Sequence, residues 1–347
     1  MSKSIVKQIV GIDVSQKELV VCLGRMYEDL SPQLYNHSCF ANTDAGMQKL
    51  VKWVLKQNEA NVSLRFVMEA TGVYHESLAY FLSDQGYSVS IVLPNKISNY
   101  ARTLDTKTVT DKSASQAITM FGLERKLNNW KAPAKVFKTL RQLTREREQL
   151  VQMRTMVKNH LHAEQAEAYP NKESIARMNK QVALFTKQIA EIRASVDAVI
   201  RENEAMRNTM KLCSSIPGVG THTVAVVLAE TNGFELISSK KQLVSYAGLD
   251  VKEKQSGTSV KGKPRISKKG NKYLRKAMHM PALGAIRHDE RFKAIFTRLV
   301  SRHGIKMKAV VAVQRKLLEL IYTLYKTQTM YNPDYFKKLE SSNVATL

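Results

Sequence analysis

Residues 5–23 read IVKQIVGIDVSQKELVVCL. Two runs rich in β-branched residues, 5–12 and 19–23, flank Asp13-Val14-Ser15-Gln16, a hairpin-like connection that leaves Asp13 at the end of the first strand. Outward from this hairpin, Tyr35 to Phe40 reads as a third strand. Met47, Leu50, Val51, Val54 and Leu55 then recur at helical spacing, and Leu64 to Met68 forms a further strand ending in Glu69. Leu78, Phe81 and Leu82 mark a helix, Ser88 to Leu93 a fifth strand closed by Pro94-Asn95, and Asp111 to Leu127 another helix. Three meandering strands followed by alternating helix and strand predict an α/β layered domain on a mixed sheet. Two of its strands end in carboxylates.

The formal net charge is +24, yet residues 1–100 carry nine basic and nine acidic side chains, so the whole excess lies beyond them. A neutral N-terminal part and a polyanion-binding remainder are expected. No apolar run approaches the roughly 20 residues of a membrane span, and Lys7 and Asp13 interrupt any signal-peptide core near the start. Cys22, Cys39 and Cys213 are scattered and odd in number, against both a disulfide framework and a zinc knuckle. A reducing, cytoplasmic setting fits.

From Ala134 to Met206 the apolar period shortens to 3.5. Ile175, Met178, Val182, Phe185, Ile189, Ile192, Val196 and Val199 alternate spacings of three and four, a coiled-coil seam. Leu140, Leu143, Leu150, Val157 and Leu161 do so less cleanly, with Arg147 and Arg154 at seam positions, and Tyr169-Pro170-Asn171 separates the halves. Two long antiparallel helices of roughly 45 Å each are expected to serve as a spacer or dimerisation arm. Ser214 to Phe234 then opens with Pro-Gly-x-Gly, a turn resembling a helix-hairpin-helix. Around Gly218 and Gly220 such a turn offers backbone N–H groups to a DNA phosphate, although glycine-rich turns also serve packing alone.

Between Val251 and Lys276 ten Lys or Arg face one Glu, with four Gly or Pro breakers, which is a basic loop rather than core. Lys254, Lys261, Lys263, Arg265, Lys268, Lys269, Lys272 and Arg275 are its candidate phosphate contacts. Ser256 beside Gly257 is either a nucleophile for a DNA phosphodiester or a member of an ordinary Ser-Gly turn. Two closing helices are expected around Leu274–Ile286 and Ala309–Tyr325, the last apolar around most of its circumference. The carboxylates of Asp13, Glu69 and Asp111 suit a hard divalent ion, Mg2+ or Mn2+. Singly, Asp13 also reads as a turn residue and Asp111 as a helix cap beside Thr110.

Five segments together resemble the DEDD-type transposases of the insertion-sequence 110 family, relatives of the Piv DNA invertases. They are GIDVSQKELVV at 11–21, MEATGVYHESLAYFLSDQGYSVSIVLPNKISNYA at 68–101, TDKSASQAI at 110–118, SIPGVGTHTVAVVLAE at 215–230 and YAGLDVKEKQSGTSVKGKPRISKKGNKYLRKA at 246–277. The resemblance implies an RNase H-like (RuvC-like) metal-binding domain over residues 1–130 and a coiled-coil hairpin over 131–205. Residues 206–347 would form a mainly α C-terminal domain with a helix-hairpin-helix-like element and a nucleophilic serine. It implies a DNA recombinase guided by a structured RNA encoded by the element (a bridge RNA) that pairs with donor and target DNA. It also implies assembly as a dimer or tetramer, and a setting at the nucleoid of a prokaryotic cell. It maps the magnesium-binding acids onto Asp13, Glu69 and Asp111, and the attacking serine onto Ser256. The fourth acid does not map: its position holds Ala114, so weakened cleavage is expected. A hydrolytic junction nuclease and a non-catalytic nucleic-acid-binding protein are the alternatives.

Overall fold

The computed structural model describes residues 4–70, 72–104, 110–235, 237–253, 255–256, 260–262 and 265–334, with the backbone alone for 255, 256, 260 and 261. The chain divides into two compact units, residues 1–132 and 133–347.

The first unit is built on β1 (Ile5–Val14), β2 (Glu18–Tyr27), β3 (Pro32–Ala41), α1 (Asp44–Leu55), β4 (Leu64–Glu69), α2 (Glu76–Asp84), β5 (Ser88–Val92), α3 (Pro94–Ala101) and α4 (Asp111–Glu124). The strands form one mixed sheet in the order β3-β2-β1-β4-β5. β1 runs antiparallel to β2 and parallel to β4, and β5 continues the parallel half. This is the mixed α/β sheet expected from the sequence. The first strand runs past the expected end at Ile12, so Asp13 is still laddered, opposite Val20. The turn follows at Ser15, whose amide donates to Glu18 O at 2.9 Å and whose hydroxyl accepts from Glu18 N at 3.0 Å.

Because side chains alternate across a strand, each central strand feeds two cores. Val10, Ile12 and Val14 of β1 and Phe66 and Met68 of β4 bury against α1 and α2, with Met47, Leu50, Leu78 and Leu82. Ile9 and Val67 face the other way, against Ile118 and Leu123 of α4. Gly11 lies on that second face, and there α4 comes so close that a Cβ would stand 2.8 Å from Ser115 O and nearer still to Thr119. The Thr119 hydroxyl fills the gap, donating to Ser115 O at 2.7 Å and lying 3.1 Å from Cys22 O.

The second unit opens with α5 (Lys135–Ala166) and α6 (Lys172–Glu202), which pair as an antiparallel hairpin capped by Asn171, whose side chain accepts from Glu173 N and Ser174 N. Then come α7 (Glu204–Ser214), α8 (Thr221–Thr231) and α9 (Lys240–Tyr246). The segment read as a loop contains β6 (Val251–Lys252), β7 (Gln255–Ser256), β8 (Val260–Lys261) and β9 (Arg265–Ile266). They pair as two short antiparallel ladders, β6 with β9 and β7 with β8. Four helices close the chain, where the apolar pattern suggested two: α10 (Lys272–Ala277), α11 (His279–His288), α12 (Glu290–His303) and α13 (Lys306–Thr327). The additional α12 is amphipathic and buries Phe292; Asp289 caps its start by accepting from Arg291 N and Phe292 N. As expected, α13 is core, with Val313, Leu317, Leu318 and Ile321 fully buried. Among the described residues no helix is long and apolar enough to cross a membrane.

Gly11→Ala should force α4 off β1 and lower stability by about 1–3 kcal/mol or more, as overpacking does. Thermal unfolding by circular dichroism measures it, and an unchanged melting temperature would contradict the close approach.

Candidate active site

Asp13 and Glu69 reach one place by strand register. Gly11 pairs with Val67 and Ile12 with Met68 in the parallel β1–β4 ladder, so Asp13 and Glu69 are the next step on each strand. Both follow the alternation of Gly11 and Val67, which puts them on the α4 face at the carboxyl ends of two central strands. In open α/β sheets that edge is where ligands bind.

Asp111 arrives by helix period. Asp111, Ser115 and Thr119 are spaced by four, so they form one stripe along α4. Ser115 and Thr119 lie over Gly11, and the next turn toward the helix start therefore carries Asp111 over Asp13. The capping role considered for Asp111 belongs to Thr110 instead. Thr110 Oγ1 accepts from Ser113 N at 3.2 Å and Thr110 N donates to Ser113 Oγ at 2.8 Å, a reciprocal cap that leaves the Asp111 carboxylate outside it. Ala114, three residues on, lines a cavity of about 620 Å³ together with Glu69, Pro94, Ser98 and Arg102.

The electrostatics follow this geometry. Burial raises the Asp13 carboxyl above its ordinary range and the neighbouring Asp111 charge raises it further, partly offset by a hydrogen bond from the Val14 backbone. Glu69 is raised by burial and then by Asp13. Among the described residues no ion pair relieves any of the three. An all-oxygen, mutually repelling set at a sheet's carboxyl edge fits a hard divalent ion in its chemistry. Its members are in electrostatic reach but not converged: among the described residues no group of three His, Cys, Asp or Glu is close enough to form a ready metal cage.

The remaining sequence candidates lie in the second unit. Ser256 stands on β7 opposite Val260; its side chain and that of Lys261 lie outside the described residues, as do Lys254 and Lys263 altogether. Arg265, Lys268, Lys269 and Lys272 are exposed. Arg275 differs from them: its guanidinium donates to Ala247 O at 2.9 Å and Gly270 O at 3.2 Å, tying the base of the basic segment together. The two turn glycines also differ. At Gly218 (φ 85°) a Cβ would meet Ala285 N at 2.6 Å, so this glycine serves close packing on α11, whereas Gly220 has open space beside it.

One cluster escaped the sequence reading. Glu230, whose side chain is 1% exposed, accepts from Arg145 Nε and Nη2 at 2.8 Å each and from Asn271 Nδ2 at 2.6 Å. The Tyr246 hydroxyl donates to Glu230 O at 2.9 Å. Nearby, Arg147 Nη1 lies 3.0 Å from His222 Nε2. A carboxylate at the end of the otherwise apolar run TVAVVLAE was the available signal.

Residues 10–170 match the family model of DEDD transposases of the IS110 type, and residues 210–297 match that of the transposase IS116/IS110/IS902 family. The pilin gene-inverting proteins of Moraxella bovis and Moraxella lacunata are each 25% identical over 319 residues, covering 92% of this chain and 95% of theirs. An uncharacterized 43.6 kDa protein of insertion element IS110 from Streptomyces coelicolor is 27% identical over 143 residues, covering 41% of this chain and 35% of that protein. Among solved structures, Thermus thermophilus RuvC in complex with a Holliday junction substrate aligns at 9% identity and a TM-score of 0.27, over 35% of this chain and 99% of that one.

Asp13→Asn should stabilise the protein in the presence of a chelator at neutral pH. A carboxyl whose folded pKa lies above its unfolded value favours folding when protonated, and that contribution is lost as pH rises through the carboxylate range. The melting temperature of the variant should therefore exceed that of the parent at pH 7 and converge with it below about pH 4, near the ordinary carboxylate value. A less stable variant at pH 7 would contradict the mutual repulsion.

Proposed function

This chain belongs to the IS110 family of transposases, and we propose that it is an RNA-guided DNA recombinase that cuts and rejoins donor and target DNA through a phosphoserine intermediate. The observation that carries this reading is the placement of Asp13 and Glu69 on one sheet face at adjacent strand ends, with Asp111 one helical turn above. In this reading the three carboxylates hold Mg2+ or Mn2+, which when bound would draw charge from the phosphate oxygens under attack. Ser256 Oγ bonds to phosphorus as a sugar–phosphate bond breaks, and the serine proton leaves with the displaced sugar hydroxyl. Energy is conserved in the new ester, so rejoining by the reverse attack needs no nucleotide cofactor.

The partners are a structured guide RNA and the two DNAs, for which the charge of residues beyond 100 supplies phosphate contacts. Arg265, Lys268, Lys269 and Lys272 are exposed cations of the basic segment available for this. Assembly as a dimer or tetramer is supported by the outer part of the α5–α6 hairpin. There Ile175, Met178, Val182, Phe185 and Ile189 remain half-buried, while Met153, Met156 and Leu184 are exposed.

Ala114 supplies no oxygen beside Glu69, so the chain is proposed to bind its nucleic acids but cleave slowly. A ligand missing from a catalytic metal site costs several kcal/mol of transition-state stabilisation, or roughly a hundredfold or more in rate at about 1.4 kcal/mol per tenfold. Ala114→Asp should recover that factor in recombination assays with matched RNA, donor and target across a magnesium titration; equal rates throughout would remove position 114 from the site. Ser256→Ala should abolish the protein–DNA adduct seen on denaturing gels while leaving binding intact. Nicking that continues without any adduct in the parent chain would favour the hydrolytic nuclease instead.

A further inference from the structure

The Arg145–Glu230 pair borders a cavity of about 300 Å³ within the second unit. Its walls come from α5 (Arg145, Arg147), the start of α8 (His222) and the α10–α11 region (Tyr273, Lys276, Met280). The volume is at the lower end of small-ligand pockets, enough for one small ring system with a charged group and too little for a folded segment.

The Arg145 guanidinium is held flat. Nε and Nη2 are both engaged by the buried Glu230 carboxylate, and Cζ lies over the Tyr273 ring, 4.6 Å from its centroid. The side chain is nevertheless 41% exposed and borders the cavity together with Tyr273. A guanidinium plane clamped along one edge and backed by an aromatic ring is a platform for a planar, electron-rich ring, because little rotamer entropy remains to be lost on stacking. Met280, 70% exposed at the rim, adds a polarisable apolar ledge.

A cation stands beside the platform. Arg147 has no carboxylate within ion-pair distance among the described residues; its polar partner is His222. Burial and then the Arg147 charge push His222 down to about 4, so at neutral pH the imidazole accepts from Arg147 and adds no positive charge. Arg154 and Arg193 bear on Arg147 with like charge, against Glu148 of opposite sign. Lys276 on the rim is already paired with Glu148. Arg147 is thus a half-buried guanidinium with donors left over and cations around it, which an anion would relieve.

We propose that this cavity binds one unpaired nucleotide of a nucleic acid, the base stacking on the Arg145 guanidinium beside Met280 and the phosphate meeting Arg147. The site reads no duplex, because a base inside a helix presents no free face. It rests on the reading of the chain as a nucleic-acid enzyme but uses neither the three carboxylates nor Ser256.

Full-length protein titrated with adenosine 5′-monophosphate, ribose 5-phosphate and inorganic phosphate tests it. The nucleotide should bind about tenfold or more tighter than ribose 5-phosphate, the size of one base stack. Arg145→Lys keeps a cation on Glu230 but removes the plane, and should bring the nucleotide down to the affinity of ribose 5-phosphate. Met280→Glu, at an exposed position where folding has little to lose, should also weaken the nucleotide about tenfold. Arg147→Gln should weaken nucleotide and ribose 5-phosphate by the same factor. Single-stranded oligonucleotides should displace the nucleotide and a duplex of the same sequence should not; the stronger of single-stranded RNA and DNA identifies which nucleic acid supplies the nucleotide. Equal binding of nucleotide and ribose 5-phosphate, no effect of Met280→Glu, or equal competition by duplex would overturn the proposal. Asp13→Asn separates the two readings: it should remove strand cleavage and leave nucleotide binding unchanged. Loss of nucleotide binding in the parent chain while cleavage persists would sink the pocket alone.

Discussion

Helix α4 can lie on β1 because Gly11 presents no side chain to it. Gly24 and Gly122 extend the same condition, since a Cβ at Gly24 would meet Thr119 at 2.6 Å and one at Gly122 would meet Ile9 at 2.7 Å. With backbone so near backbone, the Thr119 hydroxyl bridges helix and sheet beside Gly11. The carboxylate arrangement depends on this seating. An offset of one turn along α4 would carry Asp111 about 5.4 Å from its place over Asp13, and Ala114 would no longer line a cavity with Glu69.

A different constraint orders the second unit. Asn271 caps α10 through its oxygen, donates through its amide to Glu230 and gives its backbone N–H to Tyr246 O. Tyr246 in turn holds Glu230 O. Both ends of the basic segment are therefore fastened to one residue of α8, Tyr246 to the Glu230 main-chain oxygen and Asn271 to its buried carboxylate, which Arg145 of α5 neutralises. Removing one partner of such a pair is costly because the other is left charged and desolvated. The exposed cations Arg265, Lys268, Lys269 and Lys272 stand on a fixed base even though the segment's ladders are only two residues long.

The hairpin shows how one apolar period can serve two environments. At its base Ile192 and Val196 join Leu140 in the core of the second unit, whereas from Ile175 to Ile189 the same spacing is only half covered by α5. A heptad pattern specifies that a stripe is apolar and straight along the helix; it does not specify whether one neighbour or two will cover it.

Local chemistry made much of the chain legible without coordinates. Short runs rich in β-branched residues and bounded by breakers marked five strands, and carboxylates at the ends of two of them were visible as such, because strand propensity and turn residues act over a few positions. The sequence alone also located the charge excess and the basic segment, since both are properties of composition. What only the tertiary structure decided are the matters that depend on partners far along the chain. It decided that Asp13 and Glu69 share the α4 face, through the β1–β4 register, and that Thr110 rather than Asp111 caps α4. It decided that Gly218 packs on α11 while Gly220 stays open, and that Arg275 closes a loop base rather than standing free. Arg145 and Glu230 are 85 residues apart, and nothing in the local pattern of either helix names the other. A buried charge is tolerated only when its counterpart arrives with it, and that arrival is an outcome of folding rather than of sequence neighbourhood.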